Sequence, residues 1–117
     1  QHRPGGRFVL APLYDVISAQ PIVDNGRLSH NRYKLAMSVG DHNRYQIGQI
    51  SRRHFEQSAE AAGLPKGTVD RFCDELEAAI PDALETIGGL ADNTVPAALI
   101  ESIAGGVQAR RGALLIT

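Results

Sequence analysis

A stripe of apolar residues in the second half of the chain constrains its fold most strongly. From position 69 to 90 the apolar residues follow one another at spacings of three and four almost throughout: Val69, Phe72, Cys73, Leu76, Ile80, Ala83, Leu84, Ile87 and Leu90. This spacing places them on one face of an α-helix. Pro81 falls inside the stripe, where a proline removes a hydrogen bond and crowds the preceding turn. We therefore expect a helix that is kinked at Pro81, or two abutting helices.

Two further helices are predicted on either side of this stripe. Ser51 is a suitable N-cap for a helix over RRHFEQSAEAAG, which Gly63 would terminate. After the break GGLADNTVP, Thr94 can cap a last helix with Pro96 in its first turn. One face of that helix would carry Val95, Leu99, Ile103 and Val107. Its glycines at 105, 106 and 112 should each weaken it by about 1 kcal/mol relative to alanine, unless packing or close backbone approach requires them.

The first half of the chain shows no clean helical period. RFVLAP has the character of a short strand, and LAMSVG is an apolar run that stops at Gly40. Between them lies a polar run with Asn25-Gly26, which predicts a turn or a long loop. The fold class we predict is mainly α. Residues 51–117 would form a helical bundle and residues 1–50 an irregular strand and loop segment, together one domain.

Length and cysteine usage narrow the class of protein. The 117 residues suit a single domain with a modest core, and the chain begins at Gln1 without a methionine, so we expect a piece of a longer protein. No apolar run approaches the roughly 20 residues that cross a bilayer. Cys73 is the single cysteine, so no intrachain disulfide forms, which fits a reducing cytoplasm. We interpret Cys73 as a buried core thiol rather than a catalytic one.

Charge is distributed unevenly along the chain. Residues 1–58 hold eight Arg and Lys against four Asp and Glu, whereas residues 59–117 hold four against nine. A basic first half could meet a nucleotide or nucleic acid, or its charge could average out on the folded surface. The four histidines, His2, His30, His42 and His54, do not follow a compact metal-ligand spacing. No phosphate-binding loop of the Walker type and no nucleophile elbow is present.

One carboxylate interrupts an otherwise apolar stretch, LAPLYDVISAQP at positions 10–21. Asp15 follows Tyr14, and prolines bracket the segment. From the residues alone, Asp15 is either a turn or helix-capping residue, or a carboxylate placed to hold a ligand.

This stretch, followed by KLAMSVGDHNRYQIGQI and SRRHF, resembles the C-terminal part of HipA-type proteins, which are bacterial serine/threonine kinases. Many of them are the toxin of a toxin–antitoxin pair. The resemblance runs from about Gly6 to the end and is strongest over residues 10–55. It implies that Asp15 is the ligand of the magnesium ion that bridges the ATP phosphates, and that Tyr14 lines the nucleotide pocket. Carboxylate oxygens are the ligands that Mg²⁺ prefers.

The resemblance also implies cofactors and partners. The intact protein would use Mg²⁺ and ATP to phosphorylate a protein serine or threonine and would be neutralised by a helix-turn-helix antitoxin. The family's catalytic loop precedes the Tyr-Asp pair, so we expect this fragment by itself to be inactive and to hold no cofactor. The alternative function, from a different class, is a non-catalytic helical module that binds a partner.

Contact with operator DNA is the weakest of the implied properties. Arg52 and Arg53 are the residues that could serve, and an ordinary solvated helix start is the alternative interpretation of this pair. Glu56 and Glu60 follow them and would repel phosphates. The sequence thus disfavours DNA contact by this chain.

Overall fold

The fold was taken from a computed structural model, which describes residues 17–91 and 94–115 together with the backbone of two short strands at the N-terminus. Those strands, β1 (His2–Arg3) and β2 (Arg7–Phe8), pair antiparallel. They are followed by α1 (Gln20–Asp24), β3 (Lys34–Val39), β4 (Arg44–Gln46), α2 (Arg52–Ala61), α3 (Thr68–Gly88) and α4 (Ala97–Leu115). Single turns of 3-10 helix cover His30–Arg32 and Ile47–Gln49.

The predicted fold class is confirmed. Helices make up 63% of the described residues, and a two-stranded sheet with loops precedes them. Helices α2, α3 and α4 contact one another in pairs, and α1 packs against α4. None of the helices in the described ranges combines the length and the apolar character needed to cross a membrane.

The ends of α2 lie where the sequence predicts them. Ser51 is in an extended conformation immediately before the first helical residue. At the other end Gly63 adopts a left-handed conformation with φ of 74°. The N–H groups of Gly63 and Leu64 donate to the carbonyls of Glu60 and Ala59 at 2.9 Å each, which satisfies carbonyls that the helix itself leaves unpaired.

Helix α3 runs as one element through Pro81, so the alternative of two abutting helices is wrong. It begins after Gly67, which has φ of 84°, and the Thr68 hydroxyl donates to the carbonyl of Pro65 at 2.6 Å. Cys73 is buried, as predicted for a core thiol. Phe72 and Leu76, however, are 52% and 53% exposed, because α2 and α4 pack on a narrower strip of α3 than the apolar stripe occupies.

Helix α4 begins at Ala97, so Pro96 precedes the helix instead of lying in its first turn. The carbonyl of Pro96 accepts from the N–H of Leu99 at 3.1 Å and of Ile100 at 3.4 Å. The predicted apolar face is only partly correct, since Leu99 is exposed while Ile100 is half-buried beside Ile103 and Val107. Residues spaced by four positions shift gradually around a helix of 3.6 residues per turn, so they do not stay on one face. The buried face includes Ile100 in place of Leu99.

One of the α4 glycines allows a close approach. A Cβ on Gly106 would lie 2.8 Å from Cγ of Gln20, whereas a Cβ on Gly105 or Gly112 would meet nothing within 4 Å. Close backbone approach was one reason predicted for the glycines of α4. Gly106 meets it, because the absence of a Cβ permits α1 to lie against α4.

Helix α1 was not predicted, because the residues of this region show no helical period. It has five residues, with Pro21 near its N-terminus, where a proline costs no helical hydrogen bond. Val23 is its buried residue. Asn25 and Gly26 then form the predicted turn, in which Gly26 has φ of 80° and the Asn25 side chain accepts from the N–H of Arg27 at 3.1 Å.

Strands β3 and β4 form an antiparallel hairpin with an irregular register between Lys34 and Val39. The apolar run stops at Gly40, as expected, and Gly40 has φ of 81°. Its N–H donates to the Ser58 hydroxyl at 2.9 Å, and the N–H of Asp41 donates to Oε1 of Gln57 at 3.2 Å. A Cβ on Gly40 would stand 3.1 Å from Cβ of His54, so glycine is required where the hairpin meets α2.

Candidate functional site

The predicted nucleotide-site residues Tyr14 and Asp15 lie outside the described residues. The first described helix after them along the chain is α1. Its Asp24 side chain holds α1 against α4. One Asp24 oxygen accepts from Nε2 of Gln20 at 2.8 Å, and the other accepts from the Ser102 hydroxyl at 2.5 Å. The Ser102 hydrogen bond is the main cause that lowers the pKa of Asp24 below its usual value, and Gln20 adds to it. Asp24 thus attaches α1, the helix that follows the Tyr-Asp pair in the chain, to α4.

Within residues 17–91 and 94–115, no three His, Cys, Asp or Glu side chains are grouped so that they could hold a metal ion. The described part of the chain therefore supplies no ligand cluster of its own, and Asp15 stays the predicted ligand.

Arg52 connects α2 to α3. Its Nη2 donates to Oδ1 of Asp70, and its Nε lies 3.6 Å from Oε1 of Glu56. Only 12% of the Arg52 side chain is exposed, whereas Asp70 is 58% exposed. The hydrogen bond to Asp70 is the largest cause that raises the pKa of Arg52. Because its guanidinium is engaged between two helices, Arg52 has a structural partner that the sequence did not reveal.

Arg53, in contrast, is exposed, and its Nε lies 3.4 Å from Nε2 of His54. Arg53 and two residues of the hairpin, Arg44 and His42, each disfavour the charged form of His54. Arg52 and Arg53 stay the candidate residues for nucleic-acid contact, which the sequence disfavours.

His54 is a buried polar residue that sequence reasoning considered only as a metal ligand. Its Nδ1 accepts from the backbone N–H of Ser51 at 3.0 Å, so it closes the first turn of α2 as Glu or Gln does in a capping box. Burial is the largest cause that lowers the pKa of His54, followed by the charge of Arg44. The signal that could have identified this role is the spacing Ser-x-x-His at the helix start.

An open groove of about 660 Å³ separates the C-terminal half of α2 from the start of α3, and we refer to it as the α2–α3 groove. Its volume is within the range of about 300–1,000 Å³ that is typical of binding pockets. The residues that line it are Glu56, Ala59, Glu60, Gly63, Leu64, Pro65, Lys66, Gly67, Thr68, Val69 and Asp70. No pattern in the sequence indicated this groove, because it depends on how α2 and α3 pack.

The model of the HipA-like C-terminal domain matches residues 1–84. The matched region includes all four predicted site residues, Tyr14, Asp15, Arg52 and Arg53, and it ends within α3. This finding confirms the resemblance that the sequence motifs indicated, and α4 lies beyond the match.

Proposed function

This chain belongs to the family of HipA-like C-terminal domains, and we propose that it is the C-terminal helical part of a HipA-like serine/threonine protein kinase. The observation that carries the proposal is the match over residues 1–84, since it includes the Tyr-Asp pair. The arrangement of α1 supports it further. Asp24 holds this helix on α4 through the Ser102 hydroxyl, so a short segment connects Asp15 to a packed element.

The proposed activity of the intact protein is transfer of the γ-phosphate of ATP to a protein serine or threonine. Asp15 would hold Mg²⁺, which neutralises phosphate charge, and Tyr14 would line the nucleotide pocket beside it. The donor type fits, because Mg²⁺ usually takes one or two carboxylates together with phosphate oxygens. Phosphoryl transfer depends largely on positioning and charge neutralisation, so loss of one such carboxylate should be severe.

The partners we propose for the intact, cytoplasmic protein are a helix-turn-helix antitoxin and a protein substrate.

The test is the substitution Asp15→Ala in the intact protein. Autophosphorylation with Mg²⁺ and radiolabelled ATP should fall by at least about a hundredfold, because one metal-binding carboxylate is removed. Asp74→Ala is the matched control, since Asp74 is an exposed carboxylate on α3, and this variant should keep full activity.

Circular dichroism establishes that both variants fold like the wild type. If Asp15→Ala retains wild-type autophosphorylation, Asp15 is a turn or capping residue and the metal role is lost. If the intact wild-type protein binds no nucleotide at all, the non-catalytic interaction module replaces the kinase.

A further inference from the structure

The α2–α3 groove has an apolar floor. Ala59 of α2 and Val69 of α3 are half-buried along it, and Leu64 of the connecting segment is 49% exposed. An exposed leucine inside a concave surface presents apolar area that a ligand can bury.

The exposed rim of the groove carries three carboxylates and one ammonium group, that of Lys66, so its charge is negative on balance. Glu56 and Glu60 stand one helical turn apart on α2, and Asp70 faces them from α3. Glu56 and Asp70 are 47% and 58% exposed, while Arg52, which pairs with both of them, is largely buried beneath. The compensating positive charge is therefore covered, and the carboxylates face solvent.

Two charged residues of the rim form no ion pair within the part of the chain that the structure describes. These are Glu60 and Lys66, both of which are exposed. Glu60 thus offers a full negative charge at the mouth of the groove, one turn beyond the pair of Arg52 and Glu56.

From this combination we propose that the α2–α3 groove is a docking site for a basic peptide segment of a partner protein. In that segment an apolar side chain would contact Leu64 and Val69, and flanking Lys or Arg side chains would pair with Glu56 and Glu60. Charge complementarity selects this occupant, since the same carboxylates repel the phosphates of nucleic acid. The proposal does not rest on the kinase function.

The experiment measures binding of a fluorescein-labelled synthetic peptide, in which Arg and Lys flank central leucines, to the full chain by fluorescence anisotropy. A peptide with Glu at every basic position is the control ligand. We expect the basic peptide to bind and the acidic one not to bind. The double variant Glu56→Gln with Glu60→Gln should weaken binding about tenfold, which corresponds to about 1.4 kcal/mol.

Two further variants locate the site. Leu64→Ser should weaken binding as well, because it removes apolar contact area from the floor. Glu85→Gln should leave binding unchanged, since Glu85 is an exposed carboxylate about four turns farther along α3 than Asp70.

Three outcomes would overturn the proposal. The first is absence of binding by the basic peptide at submillimolar concentration. The second is an equal loss of affinity in Glu85→Gln and in the Glu56 and Glu60 double variant, which would indicate unspecific attraction to an acidic chain. The third is displacement of the peptide by a DNA duplex, which would assign the groove to nucleic acid.

Discussion

At the scale of single residues, His54 shows how burial and hydrogen bonding select one protonation state. Its Nδ1 is an acceptor for the N–H of Ser51, so a proton on Nδ1 would break the contact that closes the first turn of α2. Burial and the nearby charges of Arg44 and Arg53 also disfavour the cation. The folded protein therefore holds His54 neutral.

This neutral state makes stability depend on pH. The pKa of His54 is below its ordinary value of 6.5 in the folded chain, so the unfolded chain binds more protons between the two values. The free energy of unfolding should be highest above pH 6.5 and fall as the pH drops below it. Urea denaturation over about pH 5 to 8 measures this slope.

The variant His54→Gln should flatten that slope, because glutamine can accept the Ser51 N–H without titrating. His30→Gln removes an exposed histidine that is not among the groups acting on His54, and this variant should keep the slope. An unchanged slope in His54→Gln would assign the pH dependence to other groups.

At the scale of elements, the sequence predicted those helices whose signals are local. The stripe from Val69 predicted α3, and Ser51 with Gly63 bounded α2. Helix α1 escaped prediction because five residues are too few for a period, and its contacts come from α4, more than 70 positions away. The α2–α3 groove was missed because it depends on how α2 and α3 pack, which no sequence pattern indicates. The role predicted for Asp15 rests on the family motif and lies outside the described residues.

The two adjacent glycines of α4 offer a matched comparison of helix propensity and packing. Gly105→Ala should raise the free energy of unfolding by about 0.5–1 kcal/mol, since its Cβ meets nothing within 4 Å. Gly106→Ala should lack this gain, because its Cβ displaces Gln20 and with it the hydrogen bond to Asp24.

Chemical denaturation of both variants checks this prediction. Adding Gln20→Ala to Gly106→Ala should restore part of the gain, because the obstructing side chain is then absent. Equal stabilisation by the two single alanine variants would mean that α1 does not lie against Gly106 in solution.

At the scale of the whole molecule, the chain has more surface than a compact protein of its mass. Its accessible area is 9122 Å², and a compact monomer of 12.6 kDa exposes about 6,200 Å². The radius of gyration is 16.7 Å, where about 13 Å is typical of this length. Phe72 and Leu76 are part of this excess and leave apolar surface of α3 uncovered.

This excess surface predicts a shallow unfolding transition. Because the urea m-value scales with the area exposed on unfolding, we expect about three quarters of the m-value of a compact protein of equal length. Far-UV circular dichroism follows the transition and should start from a helix-dominated spectrum. An m-value at the full compact level would show that the chain is more closely packed in solution.

The contacts of α4 determine how far this chain can be shortened without losing the packing of its other elements. Two residues of α4, Ser102 and Gly106, contact α1. Two more contact other parts of the fold: Arg110 donates to the carbonyl of Ile50 at 2.5 Å, and Arg111 pairs with Glu77 at 3.2 Å. All four residues lie beyond position 84, where the family match stops. A protein shortened to the matched region would keep Tyr14 and Asp15 but would lose α4, against which α1 packs. The unit that must be expressed is therefore longer than the unit that sequence comparison recognises.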